Sequence, residues 1–542
     1  MKIKQIAFLA AIVVASTTAC KKSKVEPVVP TPPVTPTPTT PTVSRADLSR
    51  DSIFLYAKEI YYWNEKLPTY EVFNPRKYTS YSSNLDNYEQ ELFEIASYSS
   101  NKYDVAKNAG VYQNYPKYSY IEDRANKNPT ASINAKASVD LEGNGNDVGI
   151  RFAIFTYSND PGYLFYVGGV YENSPAEKAG MKRGDLITKI NGTSFGVNYN
   201  GEVSALNAAL GSSKMTIEGV KGDGSAFSYT LDKTVFKSSP IYKTKVITAG
   251  TKKVGYISYA RFSSAANSET ALTTAFNDFA AQGVTDLIVD FRYNGGGYVS
   301  TAEHLINLIA PSSVSGVMFA EHFNATMQSG NAKILANQPL LDANDKVQYR
   351  NGKMVTYADV QYTVAANTAS FEKKGNLTNV TNVVFLVSGN TASASELVIN
   401  SLKPHMKVSL VGRATYGKPI GFFPITIENK YDVYLSLFET KNSLGEGGYY
   451  DGIPVNVSTS ELVSNAANNI FNKMYDFGDA NDGLIKAALG IIAPGVVVTS
   501  QARVASTNFT GKRMIATDQN SSSELLDNEF KGMIENRLKP RN

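Results

Sequence analysis

The sequence is poor in cysteine. One residue, Cys20, in 542 leaves no intramolecular disulfide and no cysteine-based metal site to consider. Histidine is nearly as scarce, with only His304, His322 and His405, and neither a metal nor a cofactor is expected. Charge of one sign is not in excess. The formal net charge of +4 is spread along the chain without the basic stripe that nucleic-acid binding needs, so no nucleic-acid partner is expected. Beyond the first twenty residues no apolar run is long enough to span a membrane. What remains is ordinary globular composition, 42% hydrophobic and 19% charged, in a chain too long for one core. Two or three folded units follow.

The opening MKIKQIAFLAAIVVASTTAC sets Lys2 and Lys4 before an apolar stretch and a run of small residues, the pattern of an export signal. Cys20 directly follows Thr17-Thr18-Ala19. This resembles a bacterial lipobox, although Thr17 stands where Leu is usual. On that resemblance Cys20 is lipidated and becomes the first residue of a chain anchored to a membrane in the bacterial cell envelope; the alternative is an ordinary signal with an incidental cysteine. Residues 21 to 45 alternate Pro with Thr and Val, which favours extended polyproline conformation and reads as a tether at about 3 Å per residue.

The folded part divides by periodicity. In residues 46 to 137 the spacing Ile53, Tyr56, Ile60, Trp63, Leu67 marks one face of a helix stopped by Pro68, and a mainly helical N-terminal unit is expected, its tyrosine-rich stretch doing little beyond packing. Residues 138 to 237 carry short β-type runs separated by turn clusters. Residues 238 to 460 alternate strand and helix, which argues a layered α/β core. Residues 461 to 542 read as a helix near 484 to 492 and a polar tail without an assigned role.

Three segments of the α/β region put unusual residues at predicted strand ends, where sites form in such sheets. In FRYNGGGYVS, 291 to 300, three glycines free backbone N–H groups to face an anion. A phosphate loop would want Lys-Ser/Thr next, and Tyr298-Val299 stand there; a plain turn or an oxyanion hole remain. In SGNTASASELVINSL, 388 to 402, Ser393 falls at a helix start, as a cap or as a group whose developing negative charge the helix N-terminus would stabilise. In GRATYGKPIGFF, 412 to 423, glycines flank Lys418, which on its own would be an ordinary solvated lysine.

Two resemblances gather these segments. ENSPAEKAGMKRGDLITKINGTSF is similar to PDZ domains, and Val148, Gly149 and Ile150 then fall at that family's carboxylate-binding loop, where backbone N–H groups would take a peptide's free C-terminus. The groove could instead dock a part of the same chain. The set Arg292-Tyr293-Asn294-Gly295-Gly296-Gly297, Ser393-Ala394-Ser395-Glu396 and Gly417-Lys418 resembles the C-terminal processing (tail-specific) serine peptidases, with the family's 25-residue step from serine to lysine. The resemblance covers residues 140 to 460. It implies a multidomain α/β protein with a crotonase-like (ClpP-like) peptidase core, a PDZ domain and a helical N-terminal unit.

Carried over residue by residue, it makes Ser393 the nucleophile, Lys418 the base, and the N–H groups of Gly296 and Ala394 the oxyanion hole. A lysine base must be neutral, whereas a free lysine titrates near about 10.4, so Lys418 has to be buried, with Phe422 and Phe423 as candidate neighbours. One departure stands out: many relatives carry an orienting glutamine four residues after the lysine, and Phe422 stands there. The implied function is an exported endopeptidase cutting unfolded or tail-presented polypeptides. Its rivals are a non-catalytic peptide-binding lipoprotein with a degenerate core and a carbohydrate- or lipid-binding surface protein.

Overall fold

The computed structural model describes residues 43–108, 110–126, 138–156, 160–342, 346–465, 470–497, 532–535, 538 and 540. Cys20 and residues 21 to 42 of the Pro/Thr-rich tether lie outside the described residues, and Arg45, the last residue assigned to that tether, opens a helix.

Asp286-Leu-Ile-Val-Asp290 shows why the central sheet forms where it does. All five residues are buried, so the strand is covered on both faces, which is the environment of a parallel sheet between helices. Its neighbours run in the order Ile241–Ala249, Lys252–Tyr259, Asp286–Asp290, Asn382–Val387, Lys407–Gly412, Val457–Ser458, the first pair antiparallel and the rest parallel. The alternation of side chains splits the core. Leu287, Val289, Val383 and Phe385 face the helices Ala265–Ala281, Val299–Ile309 and Ala394–Leu402. Ile288, Val384 and Leu386 face the helix Gly483–Ile492, which Asp482 caps by accepting the Leu484 and Ile485 N–H groups.

The PDZ region is a five-strand path, Ala226–Asp232, Lys214–Val220, Leu186–Ile190, Tyr163–Val170, Ile150–Thr156, with a short strand Thr193–Ser194 on the side. Ile150–Thr156 is its edge. The helix Tyr199–Gly211 was not foreseen; its apolar residues are mostly small, and only Leu206 is fully buried.

The N-terminal unit departs from expectation. Besides the helices Arg45–Ile60 and Asn84–Ser97 it contains the strands Val105–Asn108, Val111–Pro116 and Tyr120–Asp123. The last of these pairs with Tyr431–Tyr434, which in turn pairs with Ile425–Ile427. The tyrosines placed there as packing therefore extend a hairpin of the α/β region, and their backbone reaches the site described next.

Candidate active site

The three glycine- or serine-bearing segments follow three adjacent parallel strands, Asp286–Asp290, Asn382–Val387 and Lys407–Gly412. They meet at the carboxyl edge of the sheet, and hydrogen bonds stitch them together. Thr391 Oγ1 donates to Phe291 O (2.7 Å), Ala392 N to Asn294 O (3.1 Å) and Tyr416 N to Thr391 O (2.9 Å).

Ser393 is fully buried, with φ 60° and ψ −108°, a conformation that non-glycine residues adopt only under strain. Among the described residues its Oγ has no hydrogen-bond partner. The amide of Ala394 follows it at the first helical position, among the N–H groups a helix leaves unpaired.

Glu396 holds Ser393 and the lysine loop to one point. Its buried carboxylate accepts Ser393 N and Gly417 N at 2.7 Å, Lys418 N at 2.8 Å and the Thr415 hydroxyl. Burial pushes this carboxyl up from its ordinary range, and the four donors oppose that. A Glu three residues after a serine at a helix start is the sequence signal of a carboxylate that returns to that serine's backbone N–H, and Glu396 stands there.

Lys418 is 1% exposed. Its Nζ donates to the Tyr118 carbonyl at 3.3 Å and lies 4.4 Å from the Phe422 ring centre, 5.7 Å from that of Tyr118 and 6.0 Å from that of Tyr120. A polar group thus does hold the amine, and it comes from the N-terminal unit. Asp104, fully buried, fixes that carbonyl by accepting Tyr118 N (2.8 Å), Ser119 N (3.1 Å) and the hydroxyls of Tyr61 and Ser436. Phe423 stacks on Tyr357 instead. Sequence spacing gave no signal for Asp104 or Tyr118.

The glycine loop requires a correction. Gly296 N–H, expected to face an oxyanion, is taken by Asn294 Oδ1 at 2.9 Å. Asn294 is itself fixed by Nδ2 donating to Tyr259 O (2.9 Å). Gly297, at φ 139°, packs so closely on Phe262 that a Cβ would stand 2.1 Å from its carbonyl oxygen. Its N–H is the next donor along the loop.

Just before the loop, Arg292 is buried against Asp290 (2.8 Å), Asp482 (2.8 Å) and Glu461 (3.1 Å). Arg183 of the PDZ region reaches the same cluster, pairing with Glu461 at 2.6 Å and donating to the Tyr293 hydroxyl at 2.8 Å. Burial pushes the Glu461 carboxyl up, but Arg183 and Arg292 pull it down to about 2.

The three histidines lie elsewhere. His304 bonds Thr273, His405 bonds Ser443, and His322 stands opposite Glu439 on the strand Val317–Phe323. In the PDZ region Val148 and Ile150 are buried and Gly149 has φ 80°, its Cα against the Ser174 side chain. Among the described residues no cluster of side chains suits a metal ion, and no helix is long and apolar enough to cross a membrane.

Fold and site together define a protein in which a PDZ domain precedes a peptidase-type α/β core. Residues 166–217 match the family model for the PDZ domain and residues 253–453 that for peptidase family S41. The chain accordingly carries an S41 peptidase domain behind a PDZ domain. Among curated proteins it is similar to carboxyl-terminal-processing peptidase 1 of the Arabidopsis thaliana chloroplast, 28% identical over 252 residues, and to carboxy-terminal processing protease CtpA of Bacillus subtilis, 27% identical over 248. Each match covers 46% of this chain and 43% of the relative, so the chain spans less than half the length of these proteins. A candidate S41 protease from Bacteroides fragilis shares the fold, with 21% identity, a TM-score of 0.52, and coverage of 81% of this chain and 96% of that one.

Proposed function

We propose that the protein is a serine endopeptidase of the C-terminal processing type, with Ser393 as nucleophile and Lys418 as base. The observation that carries this is the Ser393 hydroxyl, completely buried, strained and unpartnered at a helix N-terminus, tied through Glu396 to the loop of a buried lysine. Ser393 Oγ attacks the scissile carbonyl and Lys418 Nζ takes its proton. The Ala394 and Gly297 N–H groups receive the oxyanion, and the proton passes to the leaving amine. The working amine is neutral, and removal from water is what disfavours a charged one.

The strands crossed by helices on both faces support a crotonase-like core. The edge strand Ile150–Thr156, entered through Val148, Gly149 and Ile150, suits a peptide added as a strand with its free C-terminus at the loop. The substrates are then polypeptides with accessible C-termini. A peptide with a free apolar end should bind more tightly than its amidated form, and equal affinities would remove this role. The leader supports export and a lipid anchor at Cys20, which the mass of the mature N-terminus checks.

Ser393→Ala and Lys418→Ala should each abolish cleavage of casein, an unfolded substrate, while circular dichroism stays unchanged. Lys418→Arg should be inactive as well, because guanidinium stays protonated. Casein cleavage retained in Lys418→Ala would refute the base. Phe422, standing where relatives orient the lysine with glutamine, favours one rival: binding of chain ends with no turnover by the parent protein would make the chain a non-catalytic peptide-binding lipoprotein.

A further inference from the structure

The described residues near the end of the sequence form a strand, Gly532–Ile534, in an unusual place. It runs parallel to Gly296–Tyr298 in the register Gly296 with Gly532, Gly297 with Met533 and Tyr298 with Ile534. Its other edge meets Phe422. Gly532 N donates to Gly295 O, Phe422 N to Met533 O and Glu535 N to Phe422 O, each at 3.0 Å. The strand therefore fills the gap between the glycine loop and the lysine loop, bonded on both edges as an added peptide would be.

Its position beside the start of the Ser393 helix is specific. In a parallel ladder begun by Gly532 N on Gly295 O, the Gly297 N–H turns toward the Gly532 carbonyl. A Cβ built on Gly296 would stand 2.3 Å from Gly532 O and 3.0 Å from Ala394 N, so the carbonyl and the Ala394 amide flank one point. The Gly297 and Ala394 N–H groups are the two donors assigned to the oxyanion. Met533 is fully buried in the main core, Ile534 and Leu538 pack partly against it, and Pro540 bridges to Val360. Glu535 meets Glu321 carboxyl to carboxyl. Burial first, and Glu535 second, push the Glu321 carboxyl well above its usual range.

We propose that Gly532–Glu535 is a substrate-like strand supplied by the chain itself, which closes the groove over Ser393 and presents the Gly532–Met533 bond to it. This rests on the peptidase reading above and deepens it. The preferred substrate is an extended segment with a small residue before the cut and a long apolar residue after it. Ser393 Oγ bonds to the Gly532 carbonyl carbon, the bond to Met533 N breaks, and the serine proton goes by way of Lys418 to the new Met533 amine. Water then hydrolyses the ester, leaving a carboxylate at Gly532 and restoring the serine. External peptide enters only the fraction of molecules whose groove is open, so the strand raises the apparent KM.

The full chain and its Ser393→Ala form are incubated and followed by intact mass, with casein cleavage assayed in parallel. The expected result is loss of the residues after Gly532 from the parent, at a rate independent of protein concentration, and no loss from Ser393→Ala. Measured against the parent before it has lost the segment, Met533→Asp should lower the KM for casein roughly tenfold, as expected if the strand closes about nine tenths of the grooves. Ile534→Glu, at a half-buried position, gives the same readout with less demand on folding. A parent that cuts casein but stays intact, with KM unmoved by either variant, overturns the proposal and leaves the peptidase reading standing. A self-cleavage rate that scales with concentration also overturns it, since the cut would pass between molecules. If neither casein nor the chain is cut, the peptidase reading fails and the proposal with it.

Discussion

Replacing Glu396 by glutamine changes one oxygen of a buried group that four donors face. If the amide nitrogen takes the Oε2 position, the N–H groups of Ser393 and Lys418 both lose their acceptor. If it takes the Oε1 position, Gly417 N–H is stranded and the Thr415 hydroxyl, which already accepts Ile453 N at 2.7 Å, must turn. A stranded buried donor costs about 1–3 kcal/mol, so one or two of them lower stability by about 1–6 kcal/mol. Against a net stability of about 5–15 kcal/mol that is a measurable loss without obligatory unfolding. Urea titration read by Trp63, the only tryptophan, reports on the region directly, because Trp63 packs against Tyr450 (6.1 Å) and Tyr450 O lies against Gly417. Casein cleavage should fall mainly through kcat, since the substitution moves the nucleophile relative to the lysine. A Glu396→Gln protein with parental stability and parental kcat would refute the clamp.

Further outcomes test other parts of the site. Burial lowers the Lys117 amine to about 8, so below that pH its charge is a full penalty in the folded state. Between pH 8 and about 10.5 the unfolded chain binds more protons than the folded one, and stability should rise with pH by about 3 kcal/mol. Lys117→Met should flatten that rise in urea titrations at pH 7, 9 and 10, and an unchanged slope would remove Lys117 as its source. Asp482→Asn breaks the buried partnership with Arg292 and should cost about 3–5 kcal/mol of stability, checked by the same titration. Gly297→Ala should depress casein cleavage more than the roughly 1–3 kcal/mol that backbone strain takes from stability, because its Cβ must displace Phe262 and with it the assigned oxyanion donor.

The parts of the candidate site were legible because each is encoded locally. A serine at a helix start, three glycines after an apolar strand and a glycine-flanked lysine are contiguous patterns, and strand periodicity places all three at one sheet edge. The PDZ strands were legible for the same reason, alternating over short runs between turns. What sequence could not carry is contact between segments far apart in the chain. The holder of Lys418 is a backbone carbonyl, which no side-chain pattern announces, and it is positioned by Asp104 through bonds reaching as far as Ser436.

The fate of an amide is equally invisible in sequence. Gly296 and Gly297 are identical letters, and only the folded loop gives the first N–H to Asn294 and leaves the second toward the groove. The sequence by itself therefore determined the PDZ and S41 segments, the layered core and the candidacy of Ser393 and Lys418. The tertiary structure decided which glycine amide is left toward the groove, what bonds the Lys418 amine, and that residues 532–535 lie between the glycine and lysine loops. Local propensity and periodicity act over a few residues, whereas these three are settled by packing between elements hundreds of residues apart.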